Sequence, residues 1–378
     1  MRHLSLLFLL IMSCFPLHAQ IENITEKYDL PNAVSETSGL LFLNGKLITH
    51  NDSGDAANLY ELDTITGNII RTINISNATN VDWEDITQDD TYIYIGDFGN
   101  NSNGNRQDLK IYRILKSDFT NSTSITSETI AFSYEDQTDF ASQPNNSNFD
   151  AEAISVYKDK LVIFTKNWKD NTVNAYTIPK IIGNHSAKKV SSYTSNGLIT
   201  GSTYNKDDDS FLLCGYTTNG APFLIYIKVN AITNDAIFSG VIERTDINPT
   251  LGPSQIEGIT AISGEKYFLS REKVEIGGTV LTQKLYRFDN GSFSPLHIDD
   301  VELTRLQVFP NPSQEILFIK GLNLDIKQLF VIDINGKTVI NQKNSNNQIL
   351  IKELTIGTYF LKIALKNNTI ITKKFIKN

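Results

Sequence analysis

A short pattern recurs five times between Glu36 and Phe288, at intervals of roughly 45–70 residues, and a repeat of that length limits the fold more than any other feature of the chain. Each copy opens on a polar-then-apolar run: Glu36-Thr37-Ser38-Gly39-Leu40, Asp82-Trp83-Glu84-Asp85-Ile86-Thr87, Asp150-Ala151-Glu152-Ala153-Ile154-Ser155, Leu198-Ile199-Thr200-Gly201-Ser202-Thr203 and Gln255-Ile256-Glu257-Gly258-Ile259-Thr260. A second run follows at Lys46–Thr49, Tyr92–Ile95, Lys160–Thr165, Phe211–Cys214 and Lys266–Ser270. A third carries a tyrosine every time: Tyr60, Tyr112, Tyr176, Tyr226 and Tyr286. Weaker fourth runs follow, as at Asn68–Ile75 and Glu128–Phe132. The runs are short and rich in β-branched and aromatic residues, which fit a pleated, half-buried surface, and helical periods are scarce.

Four strands per repeat predict an all-β chain built from antiparallel sheets. One such sheet cannot bury both faces alone, so the sheets stack around an axis as the blades of a β-propeller. Five four-stranded blades are visible; a degenerate sixth stays open, with little sequence left to build it. The run Asn23–Leu30 resembles a fourth strand and is expected to close the ring beside the last blade. The repeated tyrosines are expected between blades with their hydroxyls on polar backbone. Trp83 alternates away from Asp82 and Glu84 and is expected between blades too.

In such a ring the first strand of each blade lines a central tunnel. Aligning the copies puts Ser38, Glu84, Glu152, Thr200 and Glu257 at one level. Two residues earlier, on the same strand face, stand Glu36, Asp82, Asp150, Leu198 and Gln255. The second strands return to the same mouth with Asp52, Asp97, Lys166 and Arg271, each 13 or 14 residues beyond the aligned position. Crowded carboxylates raise one another's pKa unless something compensates. Lys166 and Arg271 could do so, and so could a hard cation. Calcium takes six to eight oxygen ligands, and Asn51, Asp52, Glu84, Asp97, Glu152 and Glu257 are the expected metal ligands. Glu36, Asp82, Asp150, Lys166, Trp168 and Arg271 are the expected ligand-facing residues, with Trp168 available to stack on a sugar or aromatic group. Asx-turns in the loops, and glutamates paired with lysine and arginine, account for the same residues and stand as the alternative.

The charge balance changes sign along the chain: residues 21–302 carry −16 and the tail from Leu303 carries +7, within a whole-chain charge of −8. That shift predicts a domain boundary near Asp299–Leu303, giving a propeller over residues 20–300 and a second domain over 301–378. In the tail, Ile316–Ile319, Leu329–Ile334 and Tyr359–Ala364 read as strands, and Asn335-Gly336 reads as a tight hairpin turn. Several short strands in so few residues fit a small Ig-like β-sandwich. Pro310 and Pro312 cannot sit in a central strand and mark where a linker ends. Four motifs stand in order: Val308-Phe309-Pro310-Asn311-Pro312; Leu329 to Lys337; Leu354-Thr355-Ile356-Gly357-Thr358-Tyr359; and the terminal Lys373-Lys374-Phe375-Ile376-Lys377-Asn378. Together they resemble the type A C-terminal sorting domain of the Bacteroidetes type IX secretion system. The resemblance implies export across the outer membrane, engagement of the secretion machinery through residues 303–378, and an extracellular or surface-attached destination. It implies nothing about chemistry.

The first residues agree with export. Arg2 and His3 precede an apolar stretch from Leu4 to Phe15, and Leu17-His18-Ala19 precedes Gln20, the layout of a signal peptide over residues 1–19. That stretch is too short to span a bilayer, and no other segment is as apolar, so no transmembrane segment is expected in the mature protein. Cys214 would be the sole cysteine left, which excludes an internal disulfide. The acidic middle region excludes nucleic-acid binding, which needs Lys and Arg to displace counterions. No Gly-x-Ser-x-Gly elbow, phosphate loop or zinc-spaced Cys/His set occurs. His50 is the one candidate general base near the expected mouth, and a surface or turn histidine is the plainer reading.

The middle region is also similar to secreted calcium-dependent propellers, including phytase-like esterases and gluconolactonase-like hydrolases, in its blades and acidic mouth. Most of that group has six blades, and no catalytic residue is carried across. Two functions follow as expectations: a propeller that binds a cation, glycan, peptide or small molecule at the acidic mouth, or a calcium-dependent hydrolase of esters or phosphoesters using the same site.

Overall fold

A computed structural model describes residues 24–229, 236–276, 278–289, 307–320, 326–334, 336–343, 347–365 and 370–378. The chain divides into two compact units, Met1–Phe293 and Ser294–Asn378. The expected signal peptide, the Asp299–Leu303 boundary and Asn335 of the hairpin turn lie outside the described residues.

The first unit is a β-propeller, and its described residues form five blades. Their inner strands are Thr37–Leu43, Trp83–Gln88, Ala151–Tyr157, Leu198–Asn205 and Ile256–Ser263. Each pairs antiparallel with a second strand, Lys46–Asn51, Tyr92–Asp97, Lys160–Thr165, Ser210–Tyr216 or Lys266–Arg271. Third strands carry the five tyrosines, at Asn58–Asp63, Lys110–Leu115, Val173–Pro179, Pro222–Lys228 and Lys284–Asp289. The outer strands of the first four blades are Ile69–Ile75, Glu128–Tyr134, Gly183–Tyr193 and Val241–Asp246. The fifth outer strand comes from the other end of the unit: Thr25–Asp29 pairs antiparallel with Lys284–Asp289 and closes the ring, as the sequence predicts. Successive inner strands neighbour one another, and the last returns to the first. The outer strands of blades two and three also pair in parallel, Ile130–Tyr134 beside Gly183–Ala187, so these blades form one eight-stranded sheet.

The core is five separate layers, each between two consecutive blades. Leu41, Ile48, Leu59 and Ile73 of blade one meet Trp83, Ile86, Ile95 and Tyr112 of blade two. Equivalent layers join blades two to three, three to four and four to five. The ring-closing layer packs Leu285 and Phe268 on Leu40, Leu47 and Tyr60. All five repeated tyrosines are buried in these layers. Three of their hydroxyls depart from expectation. Tyr112 reaches backbone, at the Thr79 carbonyl, but Tyr60, Tyr176 and Tyr226 reach the carboxylates of Asp55, Asp136 and Asp208. Aspartates in the adjoining loops and turns supply acceptors that the paired backbone cannot spare.

Within the ring, threonine hydroxyls stitch one blade to the next. Thr87, Thr203 and Thr260 accept the N–H of Val156, Ala261 and Phe42 respectively. The inner strands are sheet edges, and these bonds satisfy donors that would otherwise face the tunnel unpaired.

The second unit is a small β-sandwich. A three-stranded sheet joins Gln307–Phe309, Ile316–Lys320 and Gln348–Leu350. A four-stranded sheet joins Thr338–Lys343, Ile326–Ile332, Gly357–Leu365 and Ile370–Lys377. Leu317, Ile319, Leu329, Val331, Ile349, Leu361 and Phe375 form its core. Gly336 turns with φ of 83°, which glycine adopts without a Cβ penalty.

Candidate functional site

Every inner strand carries a β-bulge near its start, and the bulges define the site. The register shifts between Thr37 and Leu40, Trp83 and Asp85, Ala151 and Ala153, Ile199 and Gly201, and Ile256 and Ile259. The residues aligned at one tunnel level, Ser38, Glu84, Glu152, Thr200 and Glu257, fall within these shifts, and all five are buried. A bulge inserts an unpaired residue and re-aims side chains. Here it turns polar residues inward from strands whose other positions pack between blades.

Two of the five are spent on the fold. Ser38 Oγ donates to the Glu84 carbonyl, and Thr200 Oγ1 donates to the Ile256 carbonyl at 2.6 Å. The three glutamates face a cavity of about 140 Å³, lined also by Asp52, Lys166, Trp168, Tyr216 and Glu272. Five carboxylates thus share this space with one ammonium. Lys166 Nζ lies 3.1 Å from Glu152 Oε1 and rests 5.1 Å and 5.4 Å from the Trp168 and Tyr216 rings. The surrounding acids hold the buried Lys166 well above the usual lysine range against the pull of burial, so it stays charged.

The remaining acids have no such partner. Asp52, Asp82 and Glu84 offer ligand oxygens that lie within 4.8 Å of one another. Burial pushes Asp82 up to about 7, with the charges of Asp52 and Asp150 adding to it. Burial pushes Glu272 up to about 7 as well, again with Asp52 contributing. Glu84 and Glu257 are raised well above the carboxylate range, chiefly by burial. Glu84 Oε1 and Glu257 Oε2 are buried and accept no hydrogen bond. Gly99 lies against this cluster: a Cβ there would stand 1.9 Å from Glu84 Oε1 and 2.5 Å from Asp82 Oδ2.

Several expected site residues lie elsewhere. Asp97 is buried but bound to Arg106 at 2.8 Å, with Lys110 at 3.5 Å, so its charge is already met. The Asn51 amide donates to the Ala33 carbonyl and to Asp55, and Asn51 does not line the cavity. Asp150 accepts the Trp168 indole N–H at 2.7 Å and the Asn100 N–H at 2.6 Å, which hold its carboxylate in place beneath Trp168. Glu36 is exposed and outside the cavity lining. Arg271 turns to the Thr282 carbonyl and lies 5.8 Å over Tyr286, so it does not compensate the acids; the next residue, Glu272, lines the cavity and adds another. His50 is neither a turn residue nor at the mouth. It is fully buried edge-on to Trp83, 5.7 Å between centroids, and burial lowers its pKa to about 4.

Sequence reasoning missed Asp85. Its carboxylate is fully buried and accepts the N–H groups of Ile86, Ile154 and Ser202 at 2.8, 2.9 and 3.2 Å. Simple alternation would send Glu84 and Asp85 to opposite faces, and Asp85 into an apolar layer. Two adjacent acids in an apolar strand were the available sign of a bulge.

The comparisons with known proteins bear on the second unit. Residues 307–378 match the family described as the secretion system C-terminal sorting domain. This domain marks a protein that type IX secretion exports to the cell surface or the extracellular space, and it engages the secretion machinery. Among solved structures the chain is similar to PorZ, a surface component of the type-IX secretion system of Porphyromonas gingivalis. The identity is 10% over 90% of this chain and 45% of that one, with a TM-score of 0.34. The chain therefore spans less than half the length of PorZ. It is similar to an exo-β-1,3-galactanase from Phanerochaete chrysosporium at 9% identity, covering 94% and 93% of the two chains, TM-score 0.46. It is similar to an α-L-arabinanase from Penicillium chrysogenum at 11% identity, covering 71% and 98%, TM-score 0.41. None of these structures assigns a function to this chain. No curated protein sequence matches it. Among the described residues no helix is long and apolar enough to cross a membrane.

Proposed function

We propose that this exported protein is a binding propeller whose acidic tunnel mouth holds a hard divalent cation of the calcium class. The observation that carries the reading is the Asp52, Asp82 and Glu84 cluster, with convergent oxygens within 4.8 Å and a buried Glu84 oxygen that has no partner. Buried charge of one sign is costly unless it is paired or coordinates a metal. Lys166 is in contact with Glu152, and Arg106 with Asp97, so among the described residues no cationic side chain sits in contact with the cluster itself. The donors are carboxylates, with no imidazole or thiolate among them, which suits calcium over zinc or copper. The cavity, about 140 Å³, is below the roughly 300–1,000 Å³ of small-molecule pockets and suits an ion with its waters. A glycan or peptide would then meet the ion from outside.

A thermal melt tests this. The mature protein is stripped of metal on a chelating resin and remelted with added calcium. A ligand at about one hundred times its Kd stabilises by roughly 2.7 kcal/mol, a rise of roughly 5–10 °C for a domain of this size. An unchanged melt with calcium would remove the cation reading.

A further inference from the structure

The two mouths of the propeller differ in charge, and the far one carries a larger cavity. At the opposite ends of the inner strands lies a cavity of about 550 Å³, with walls from all five blades. This is within the usual range for pockets that take small organic ligands. Its walls carry Lys116, Lys158, Lys180 and Lys206 against Asp89, Asp90 and Asp207. Two of those aspartates are engaged: Asp89 holds Lys180 at 2.8 Å, and Asp207 accepts the Gly264 N–H at 3.0 Å. Among the described residues neither Lys116 nor Lys206 pairs with a carboxylate. They come from blades two and four, on different sides of the opening. Burial pushes the Lys116 ammonium below its usual range against the pull of Asp89 and Asp90, and Lys206 adds to that push. Gln88, on the same wall, donates its amide N–H to the Phe42 carbonyl and leaves Oε1 buried without a donor.

We propose that this far cavity binds a small hydroxylated anion, a sugar acid or sugar phosphate in its chemistry, with Lys116 and Lys206 meeting the charge and Gln88 Oε1 accepting a hydroxyl. Lys116 and Lys206 both line this concave site and neither pairs with a carboxylate among the described residues, so an anion seated between them would meet their charge. The buried Gln88 amide oxygen has no donor among the described residues, and a ligand hydroxyl would supply one as the side chain turns to it. The apolar stretch Leu40–Leu43 and the Ile259–Ile262 strand end supply the body of the pocket. This site is independent of the cation site at the other mouth, since the fully buried Asp85, bonded to the inner strands of blades three and four, occupies the tunnel between them.

Calorimetric titration of metal-stripped, full-length mature protein with D-glucuronate, glucose 1-phosphate and glucose tests the proposal. The expected result is binding of at least one anion and no binding of glucose. Lys116→Gln with Lys206→Gln should weaken the anion roughly tenfold or more, the loss of a charged hydrogen bond. Lys116→Arg with Lys206→Arg should keep it, which separates lost charge from lost fold. Glu84→Gln should leave it unchanged. No binding of either anion, equal binding of glucose, undiminished binding by the glutamine variant, or loss of binding in Glu84→Gln would each overturn the proposal.

Discussion

The Asp85 carboxylate accepts the backbone N–H of Ile154 from the neighbouring blade at 2.9 Å, at a point where both residues are fully buried. The same oxygen also takes the Ser202 N–H from the blade beyond. One side chain thus satisfies backbone donors of three blades. Asp85→Ala leaves three buried N–H groups unpaired, at about 1–3 kcal/mol each. The expected loss is at least about 3 kcal/mol in urea unfolding, and Asp85→Asn, which keeps one acceptor oxygen, should lose less.

Gly99 sets the shape of the acidic cluster. A Cβ there would collide with Glu84 Oε1 at 1.9 Å, and Arg106 holds the Gly99 carbonyl at 2.9 Å so that the loop has little room to withdraw. Gly99→Ala is expected to displace the Glu84 carboxylate, cost about 1–3 kcal/mol as overpacking does, and abolish the calcium-induced rise in melting temperature. A variant that folds and keeps that rise would show that Glu84 is not a ligand.

The metal-free protein should lose stability as pH rises. Asp82 and Glu272 titrate near 7 in the folded protein and near ordinary carboxylate values when unfolded. The folded state therefore binds more protons between about pH 4 and 7, and stability falls as pH rises through that window. The charges facing these two groups are Asp52, Asp97, Asp150, Glu36, Arg106 and Lys166. Melts at pH 5.5 and 8 should show the higher Tm at pH 5.5, and calcium should narrow the gap by replacing the protons.

Secretion should depend on the second unit. Removal of residues 303–378 deletes the matched sorting domain and should leave the protein inside the outer membrane, detected by fractionation. The propeller should fold without it, because all five inter-blade layers are built from residues before Asp289.

Much of this architecture was legible because a blade repeats. Aligning five copies located the inner strands, the tunnel level and the closing role of Thr25–Asp29, and motif order located the sorting domain. The site was only partly legible. Glu84, Glu152, Glu257, Asp52 and Lys166 reach the cavity as the alignment implies, and Trp168, which the alignment did not place, lines it too. Asp97 does not, because Arg106, in a loop without periodicity, neutralises it. Arg271 and Glu272 exchange roles because the pleat ends at Arg271, where alternation stops predicting direction. Asp85 was hidden by the bulge that reverses it.

Calcium binding itself is the most direct test of the central claim. Metal-free mature protein would be titrated with calcium by calorimetry, alongside Glu84→Gln and the exposed-site control Glu36→Gln. Saturable binding by wild type and by Glu36→Gln, weakened roughly tenfold or more in Glu84→Gln, is the predicted result. Absence of binding, or equal binding by all three proteins, would contradict a cation site at the acidic mouth.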